Sequence, residues 1–260
     1  NGALLNFVFP YEFLKETNVH GTVETLRLAC AGQPKYYHYV SSYSVYDTPN
    51  NKGKRVYEND PLNTAHGFSL AYSETKWVSE KLVGIAQKRG LHTVIYRPGD
   101  ITGAANGIWE MDDMVSRMIV GTIQMQAIPR TSYCMHMTPV DFVADAICCI
   151  SRKPEAMDQA FNLVNPEPVP VKKAVSYIRA CDYPVRYISF PAWKSKLKQA
   201  DASENALTLL ACLFESGTDA NPGVLRHFIG KDTVYDCTKA NLLLNQSGIS
   251  CPPVDEKLFA

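Results

Sequence analysis

The sequence lacks net charge and long apolar runs. Its 260 residues carry 26 basic and 26 acidic side chains, so the formal net charge is zero at neutral pH. A neutral chain offers no electrostatic reason to bind nucleic acid or an anionic membrane surface. No apolar run approaches the ~20 residues that a membrane-spanning helix needs. These absences predict a globular protein without a nucleic-acid or membrane partner.

Metal-ligand patterns are lacking as well. The eight cysteines show neither Cys-x-x-Cys nor Cys/His ligand spacing, and the adjacent pair Cys148 and Cys149 lies in an apolar, helix-like run. Scattered cysteines of this kind are typical of reduced thiols in a cytoplasmic protein. We therefore expect no metal site, no disulfide framework and a cytoplasmic location.

What is present in the first hundred residues is an alternation of helix and strand patterns. Residues 14–31 and 69–89 carry helical periodicity, and each run stops at a glycine. Residues 35–41 and 92–97 are rich in aromatic and β-branched side chains, which favour strands. Strands alternating with helices at this spacing predict an α/β fold with a parallel sheet.

The pattern changes beyond Gly103. Helices are predicted over residues 111–120 and 139–151, and a strand over residues 161–164. We expect residues 1–103 to belong to a dinucleotide-binding domain that carries the catalytic residues. Residues 104–260 then form mainly a smaller substrate lobe over the carboxyl edge of the sheet, with some segments returning to the sheet.

The most informative residues are Tyr72 and Lys76, four positions apart on one predicted helix. This spacing places both side chains on one helix face. A free tyrosine has a pKa near ~10, and a neighbouring ammonium lowers that pKa toward the working range of an acid-base catalyst. The pair alone is a weak signal, because it also occurs by chance on solvated helices.

Other residues strengthen the interpretation. Ser42 follows the end of a predicted strand, where its hydroxyl can hold a substrate carbonyl, although a turn-forming serine is an equal alternative. Asn18 lies within a predicted helix despite its poor helix propensity, with a surface asparagine as the alternative. Residues 96–103, which include Arg97, Pro98 and Gly99, end the next strand with a tight, glycine-bearing turn that lets the backbone approach a ligand.

Together, Ser42, Tyr72, Lys76 and Asn18 resemble the catalytic tetrad of extended short-chain dehydrogenases/reductases. More narrowly, the chain resembles the thioester reductase domains of nonribosomal peptide synthetases, aminoadipate reductases and carboxylic acid reductases. Trp77, directly after the lysine, separates these domains from sugar epimerases and dehydratases. The matching stretches are residues 1–11, 18–22, 40–42, 72–80, 97–99, 121–129 and 137–141.

The resemblance implies a doubly wound, Rossmann-like parallel sheet and NADPH as the cofactor. It also implies a partner, a phosphopantetheinylated carrier protein whose acyl or peptidyl thioester is reduced to an aldehyde and, in some members, to an alcohol. Tyr72 would donate a proton with Ser42 as a second donor, and Asn18 would connect a water chain to Lys76. The implied cofactor-binding residues are Asn1, Gly2, Ala3, Tyr72, Lys76, Arg97, Pro98 and Gly99.

Two departures from the family pattern matter. Nothing in the sequence resembles the Gly-x-x-Gly-x-x-Gly loop that seats a cofactor pyrophosphate at a helix N-terminus. We therefore expect the N-terminal half of the reductase domain to be missing here and to be supplied by a companion segment. The second departure is mild, since Ala71 stands where the family usually has glycine before the tyrosine.

Substrate selection is expected between Ala104 and Met137, a stretch rich in methionine, whose flexible side chain adapts to varied apolar groups. Three alternatives remain open. The chain could be an extended short-chain reductase or epimerase that acts on a free small molecule, a non-catalytic domain that binds the carrier, or a reductase-like cyclase. The intact Ser42, Tyr72 and Lys76 set favours the reductase.

Overall fold

The fold is built on short strands. The computed structural model describes residues 2–63, 66–104, 106–201, 203–215 and 233–259. Within them the strands are β1 (Tyr37–Val40), β2 (Arg55–Val56), β3 (Thr93–Pro98), β4 (Asp100–Thr102), β5 (Ala127–Pro129), β6 (Cys134–Met135), β7 (Met137–Pro139), β8 (Gln159–Leu163), β9 (Val169–Pro170), β10 (Arg186–Ile188) and β11 (Val234–Tyr235).

Helices connect and cover these strands. In chain order they are α1 (Tyr11–Lys15), α2 (Gly21–Cys30), α3 (Ala71–Lys88), α4 (Met114–Met125), α5 (Val140–Ile150), α6 (Val171–Ala180), α7 (Phe190–Gln199), α8 (Ala211–Glu215) and α9 (Thr238–Asn245). The predicted helix over 69–89 is confirmed as α3. The one predicted over 14–31 is split, because Glu16–His20 forms a π-helical turn between α1 and α2.

The central sheet is parallel, with the strand order β1-β3-β8 among the described residues. In register, Val40 lies opposite Tyr96, and Tyr96 lies opposite Phe161. Because β8 follows residue 103 in the chain, the sheet draws on both halves of the sequence. The parallel α/β sheet predicted from the sequence is therefore confirmed.

The sheet is covered on both faces because alternate side chains of a strand point to opposite sides. Tyr39 and Ile95 pack with buried side chains of α2 and α3, including Leu26 and Val83. On the other face Val94, Tyr96 and Phe161 pack against α5 and α9. All six residues of β3 are buried, as expected of a central strand covered on both faces.

Shorter strand pairs extend the structure beyond the carboxyl end of β3. β4 pairs with β7 and β5 with β10, both in parallel, and a second core joins residues of α4 and α6. Within the part of the chain that the structure describes, no helix is long and apolar enough to cross a membrane. The same residues contain no group of three metal-ligating side chains.

A buried ion pair fixes the strand that leads to the site. The Arg97 guanidinium donates to the Glu80 carboxylate on α3, with Nε 3.0 Å from Oε1, and both side chains are at most 5% exposed. Glu80 also accepts a hydrogen bond from the Ser41 hydroxyl at 2.6 Å. The pair therefore ties α3 to the ends of both β1 and β3.

Candidate active site

A cavity of about 650 Å³ lies at the carboxyl ends of β1 and β3. Part of its lining is formed by the last residue of β1 and the four that follow it, residues 40–44, and by the last residue of β3 and the four that follow it, residues 98–102. Ligands of open α/β sheets bind at this edge, and the volume is in the range of pockets that bury a small organic ligand. The first turns of α3 supply Tyr72, Ser73 and Lys76 to the same lining.

Tyr72 stands in the first turn of α3, directly after Ala71. Its ring packs edge-on against Phe7, with the centroids 6.3 Å apart. The expectation that Lys76 lowers the pKa of Tyr72 is wrong for this geometry, because burial dominates and raises that pKa. The phenol is therefore protonated at neutral pH, which is the state that a proton donor needs.

Lys76 lies one helical turn after Tyr72. Its Nζ is 5.8 Å from the centroid of the Tyr72 ring and donates a 2.8 Å hydrogen bond to the carbonyl of Val40. Burial lowers the pKa of Lys76 from its ordinary 10.5 to about 8, partly offset by the Glu80 carboxylate. The ammonium thus sits between the end of β1 and the phenol.

Ser42 follows β1 and lines the cavity beside Tyr72 and Lys76. Its Oγ accepts a 3.1 Å hydrogen bond from the Ser44 backbone N–H and lies 2.8 Å from the Ser44 Oγ. Either hydroxyl can be the donor in the contact with Ser44, and the Ser42 proton is available to a substrate when Ser44 is the donor. The alternative of a turn-forming serine is compatible with this geometry, since Ser42 also caps the short 3-10 turn that follows.

Asn18 is buried rather than on the helix surface, at 4% exposure, and it occupies the π-helical turn. Its side chain accepts from the backbone N–H of Leu4 at 2.7 Å, and Nδ2 is 3.1 Å from both the Leu4 carbonyl and the Thr75 Oγ1. Asn18 is outside the cavity lining. These hydrogen bonds hold the segment before α1 against α3 at Thr75, the residue before Lys76.

Some of the residues predicted to bind the cofactor line the cavity, and others lie outside it. Ala3, Pro98 and Gly99 line the cavity together with Tyr72 and Lys76, whereas Gly2 and Arg97 do not. The guanidinium of Arg97 instead turns into the buried ion pair with Glu80. Asn1 lies outside the described residues.

Gly99 has a packing role that its sequence position did not reveal. A Cβ at this residue would lie 2.6 Å from the Thr138 hydroxyl and 2.9 Å from the His136 carbonyl, contacts too short for a side chain. The close approach predicted at this turn is therefore made to β7 and the residue before it.

Sequence reasoning missed a polar and aromatic group on the cavity wall. The Tyr43 hydroxyl donates to Asp100 at 2.8 Å, and the rings of Tyr43, His136 and Tyr235 pack with centroids 5.0–5.6 Å apart. All four residues line the cavity. Tyr43 and Asp100 lie in stretches already noted after β1 and β3, but no sequence pattern indicated that His136 and Tyr235 would meet them.

The methionines between Ala104 and Met137 lie in different environments in the folded protein. Met114 and Met118 of α4 line the cavity, as do Ile108 and Trp109, whereas Met125 and Met135 are buried in two different cores. Met111 is exposed. A pattern of methionines alone could not separate the lining residues from the core residues.

The donor set suits the nicotinamide end of a dinucleotide. An ammonium and two hydroxyls meet in one cavity, and this is the chemistry that ribose hydroxyls and a carboxamide can satisfy. The chain contains no glycine-rich loop for the pyrophosphate. The residues present therefore fit the nicotinamide half of such a cofactor.

The parallel sheet and the site at its carboxyl edge define a fold of the extended short-chain dehydrogenase/reductase type. The terminal R domain from the myxalamid PKS-NRPS biosynthetic pathway matches the structure with a TM-score of 0.89 and 37% identity, over 100% of this chain and 64% of that domain. A linear gramicidin synthase of Brevibacillus parabrevis is 32% identical over 100% of this chain and 5% of its own length. L-2-aminoadipate reductase of Saccharomyces cerevisiae is 34% identical over 85% of this chain and 17% of its length.

A family model of NAD-binding domains, described as male sterility protein, matches residues 1–147. Because this match covers more than half of the chain, the chain belongs to that family. The chain spans 5% and 17% of the length of the synthase and the aminoadipate reductase, and 64% of the myxalamid domain.

Proposed function

We propose that this chain carries the catalytic residues of a nicotinamide-dependent thioester reductase, which releases a carrier-bound acyl or peptidyl chain as an aldehyde. The observation that carries the proposal is the meeting of Ser42, Tyr72 and Lys76 in one cavity at the carboxyl edge of the sheet. The similarity to a terminal R domain and to aminoadipate reductase supports the same class of reaction.

Tyr72 acts as the general acid in this proposal. When the thioester carbonyl is reduced, negative charge develops on its oxygen, and the protonated Tyr72 phenol donates a proton there. The Ser42 hydroxyl donates a second hydrogen bond to the same oxygen, which stabilises the developing charge. The resulting thiohemiacetal collapses to an aldehyde and the free thiol of the carrier.

In this proposal Lys76 supplies the positive charge of the site and links α3 to the end of β1. Its ammonium holds the Val40 carbonyl and faces the Tyr72 ring, so a positive charge lies near the phenolate that forms on proton transfer. Asn18 positions the lysine indirectly, because its amide bonds the Thr75 hydroxyl on the preceding residue of α3.

We further propose NADPH as the cofactor, which supplies the hydride when bound. Ala3, Pro98 and Gly99 would join Tyr72 and Lys76 in holding its nicotinamide end. The carrier protein is the proposed macromolecular partner, as the similarity to a terminal R domain of a PKS-NRPS pathway suggests. Residues 104–260 would act mainly as the substrate lobe, since α4 and α8 both contribute to the cavity wall.

The pyrophosphate seat would come from a segment that adds strands beside β1. Among the described residues the outer edge of β1 has no strand partner. Nearby apolar side chains are exposed, with Leu28 at 66% and Tyr36 at 68%. An open edge flanked by apolar surface is a ready site for strand addition.

The full chain, assayed together with such a segment, should oxidise NADPH only when a pantetheine thioester is present, and an aldehyde should accumulate. NADPH consumption and aldehyde trapping measure the reaction, with NADH compared at equal concentration. Turnover of free ketones without any thioester turnover would overturn the proposal. Equal rates with NADH would remove the preference for NADPH but leave the reductase.

The rate should fall as the pH rises above about 8. Because the pKa of Lys76 is lowered to about 8, its ammonium is lost above that pH, and kcat/KM should drop about tenfold per pH unit. Deprotonation of Lys76 does not itself destabilise the fold. Between pH 8 and 10.5 the unfolded lysine holds more protons than the folded one, so this group makes the fold more stable as pH rises.

The pH profile of kcat/KM tests this prediction, with Lys76→Arg as the control. An arginine stays charged, so the residual activity of that variant should lack the descending limb near pH 8. A wild-type profile that is flat to pH 10 would contradict the role of the ammonium.

A further inference from the structure

One wall of the cavity is apolar and continuous. Phe7, Met114 and Met118 line the cavity and pack against the hydrophobic cluster that contains Leu213 and Phe214, two buried residues that line it too. Met114 and Met118 are one helical turn apart on α4, so both side chains lie on the same face of that helix. The wall is thus assembled from the segment before α1, from α4 and from α8.

This wall begins beside the reacting phenol. The Phe7 ring packs edge-on against Tyr72 at 6.3 Å and also belongs to the cluster that contains Leu213 and Phe214. A substrate whose carbonyl carbon lies at Tyr72 and Ser42 therefore has apolar surface next to it. Methionine side chains adapt to the shape of an aliphatic or aromatic chain.

The described cavity lining contains more acidic than basic side chains. Among the described residues that line it, Lys76 is the only lysine or arginine, and its ammonium is bonded to the Val40 carbonyl beside the phenol. The acidic residues in the same lining are Asp47, Asp100, Glu110 and Asp113. His136, the other basic side chain there, packs its ring edge-on against Tyr235. An anion on the apolar wall would lose its hydration, and the described lining residues offer no lysine or arginine there to compensate it.

We propose that the site selects uncharged, apolar acyl chains and rejects acyl chains that end in a carboxylate. The inference rests on the proposed thioester reductase function and names the substrate class of the same cavity. Each methylene that leaves water for the wall of Phe7, Met114 and Met118 favours binding, whereas a terminal carboxylate at the same depth opposes it.

Binding of non-reducible pantetheine amides to the full chain tests this selection by calorimetry. Affinity should rise about fourfold per methylene from hexanoyl to octanoyl to decanoyl. A 9-carboxynonanoyl amide should bind ~10-fold or more weakly than the decanoyl amide. The methyl ester of that carboxylate, which has similar length but no charge, should recover most of the affinity. Equal affinities across the series would overturn the proposal.

A charge introduced into the wall should reverse the preference. Met118→Lys is expected to improve binding of the carboxylate ligand and weaken binding of decanoyl, because a cation then faces the chain. Ile85→Lys is the matched control, since Ile85 is 48% exposed on α3 and outside the cavity. If Met118→Lys does not fold, as judged by circular dichroism, the wild-type series alone decides the proposal.

Reduction of the matching thioesters, with the chain assayed together with the segment that supplies the pyrophosphate seat, separates this inference from the proposed function. Rates that follow the binding order support both. Binding in the expected order with no reduction of any thioester would overturn the reductase function but leave the selectivity. Reduction of carboxylate-ended and apolar thioesters at equal kcat/KM would overturn the selectivity but leave the reductase.

Discussion

Replacing Tyr72 with phenylalanine is expected to lower the rate of thioester reduction by ~10²–10⁴-fold, the range for a lost general acid. The change removes the hydroxyl that we propose as the proton donor and leaves the ring in place against Phe7. Burial raises the pKa of Tyr72 and keeps the proton on the phenol, so the wild-type enzyme is in the donating state throughout the neutral range. Single-turnover NADPH oxidation with a pantetheine thioester measures the effect.

The control for this variant is Tyr183→Phe, which removes a hydroxyl from a side chain that is 48% exposed and outside the cavity. Tyr183→Phe should keep the wild-type rate. Binding of the decanoyl pantetheine amide should be nearly equal in wild type and Tyr72→Phe, since the apolar wall is unchanged. Wild-type turnover in Tyr72→Phe would remove Tyr72 from the mechanism.

Glu80→Gln is expected to lower the free energy of unfolding by about 3–5 kcal/mol, the cost of leaving one partner of a buried ion pair uncompensated. The variant keeps the shape of the side chain but removes the charge that faces Arg97, whose guanidinium is 5% exposed. Arg97 keeps its bond to the Glu58 carbonyl and the weaker attraction of the Glu58 carboxylate, and neither replaces the direct ion pair. Urea unfolding measures the change.

Glu24→Gln is the matched control for Glu80→Gln, because it makes the same substitution in an exposed ion pair. Glu24 pairs with Arg27 on α2, and both side chains are more than 60% exposed. An exposed pair of this kind contributes ~0–1 kcal/mol, so Glu24→Gln should unfold close to the wild-type midpoint. A similar small change in Glu80→Gln would show that the Arg97 charge is relieved by water or by movement of β3.

Individual helices and strands were predictable because the patterns that indicate them lie within short stretches of sequence. Helix α3 lies within two residues of its predicted bounds, since an amphipathic pattern ends at Gly90. β3 was predicted within one residue at each end, because its side chains are apolar and β-branched or aromatic. The split between α1 and α2 was missed, because a π-helical turn that buries Asn18 has no counterpart in helix propensity.

Side-chain direction at the ends of strands was much harder to predict. Arg97 sits directly before the turn that lines the cavity, yet its guanidinium points to Glu80 because a buried cation must find a buried anion. Tyr43, Asp100, His136 and Tyr235 come from four separate segments and meet only after the strands have paired.

The sequence by itself determined the proposed proton-transfer pair and the helix that carries it. The four-residue spacing of Tyr72 and Lys76 places both on one face of any helix, whatever packs around it. The tertiary structure alone decided the environment of that pair: the raised pKa of Tyr72, the bond from Lys76 to Val40, and the apolar wall that begins at Phe7. Burial and electrostatic effects depend on which distant segments come into contact, and those contacts arise only when the chain has folded.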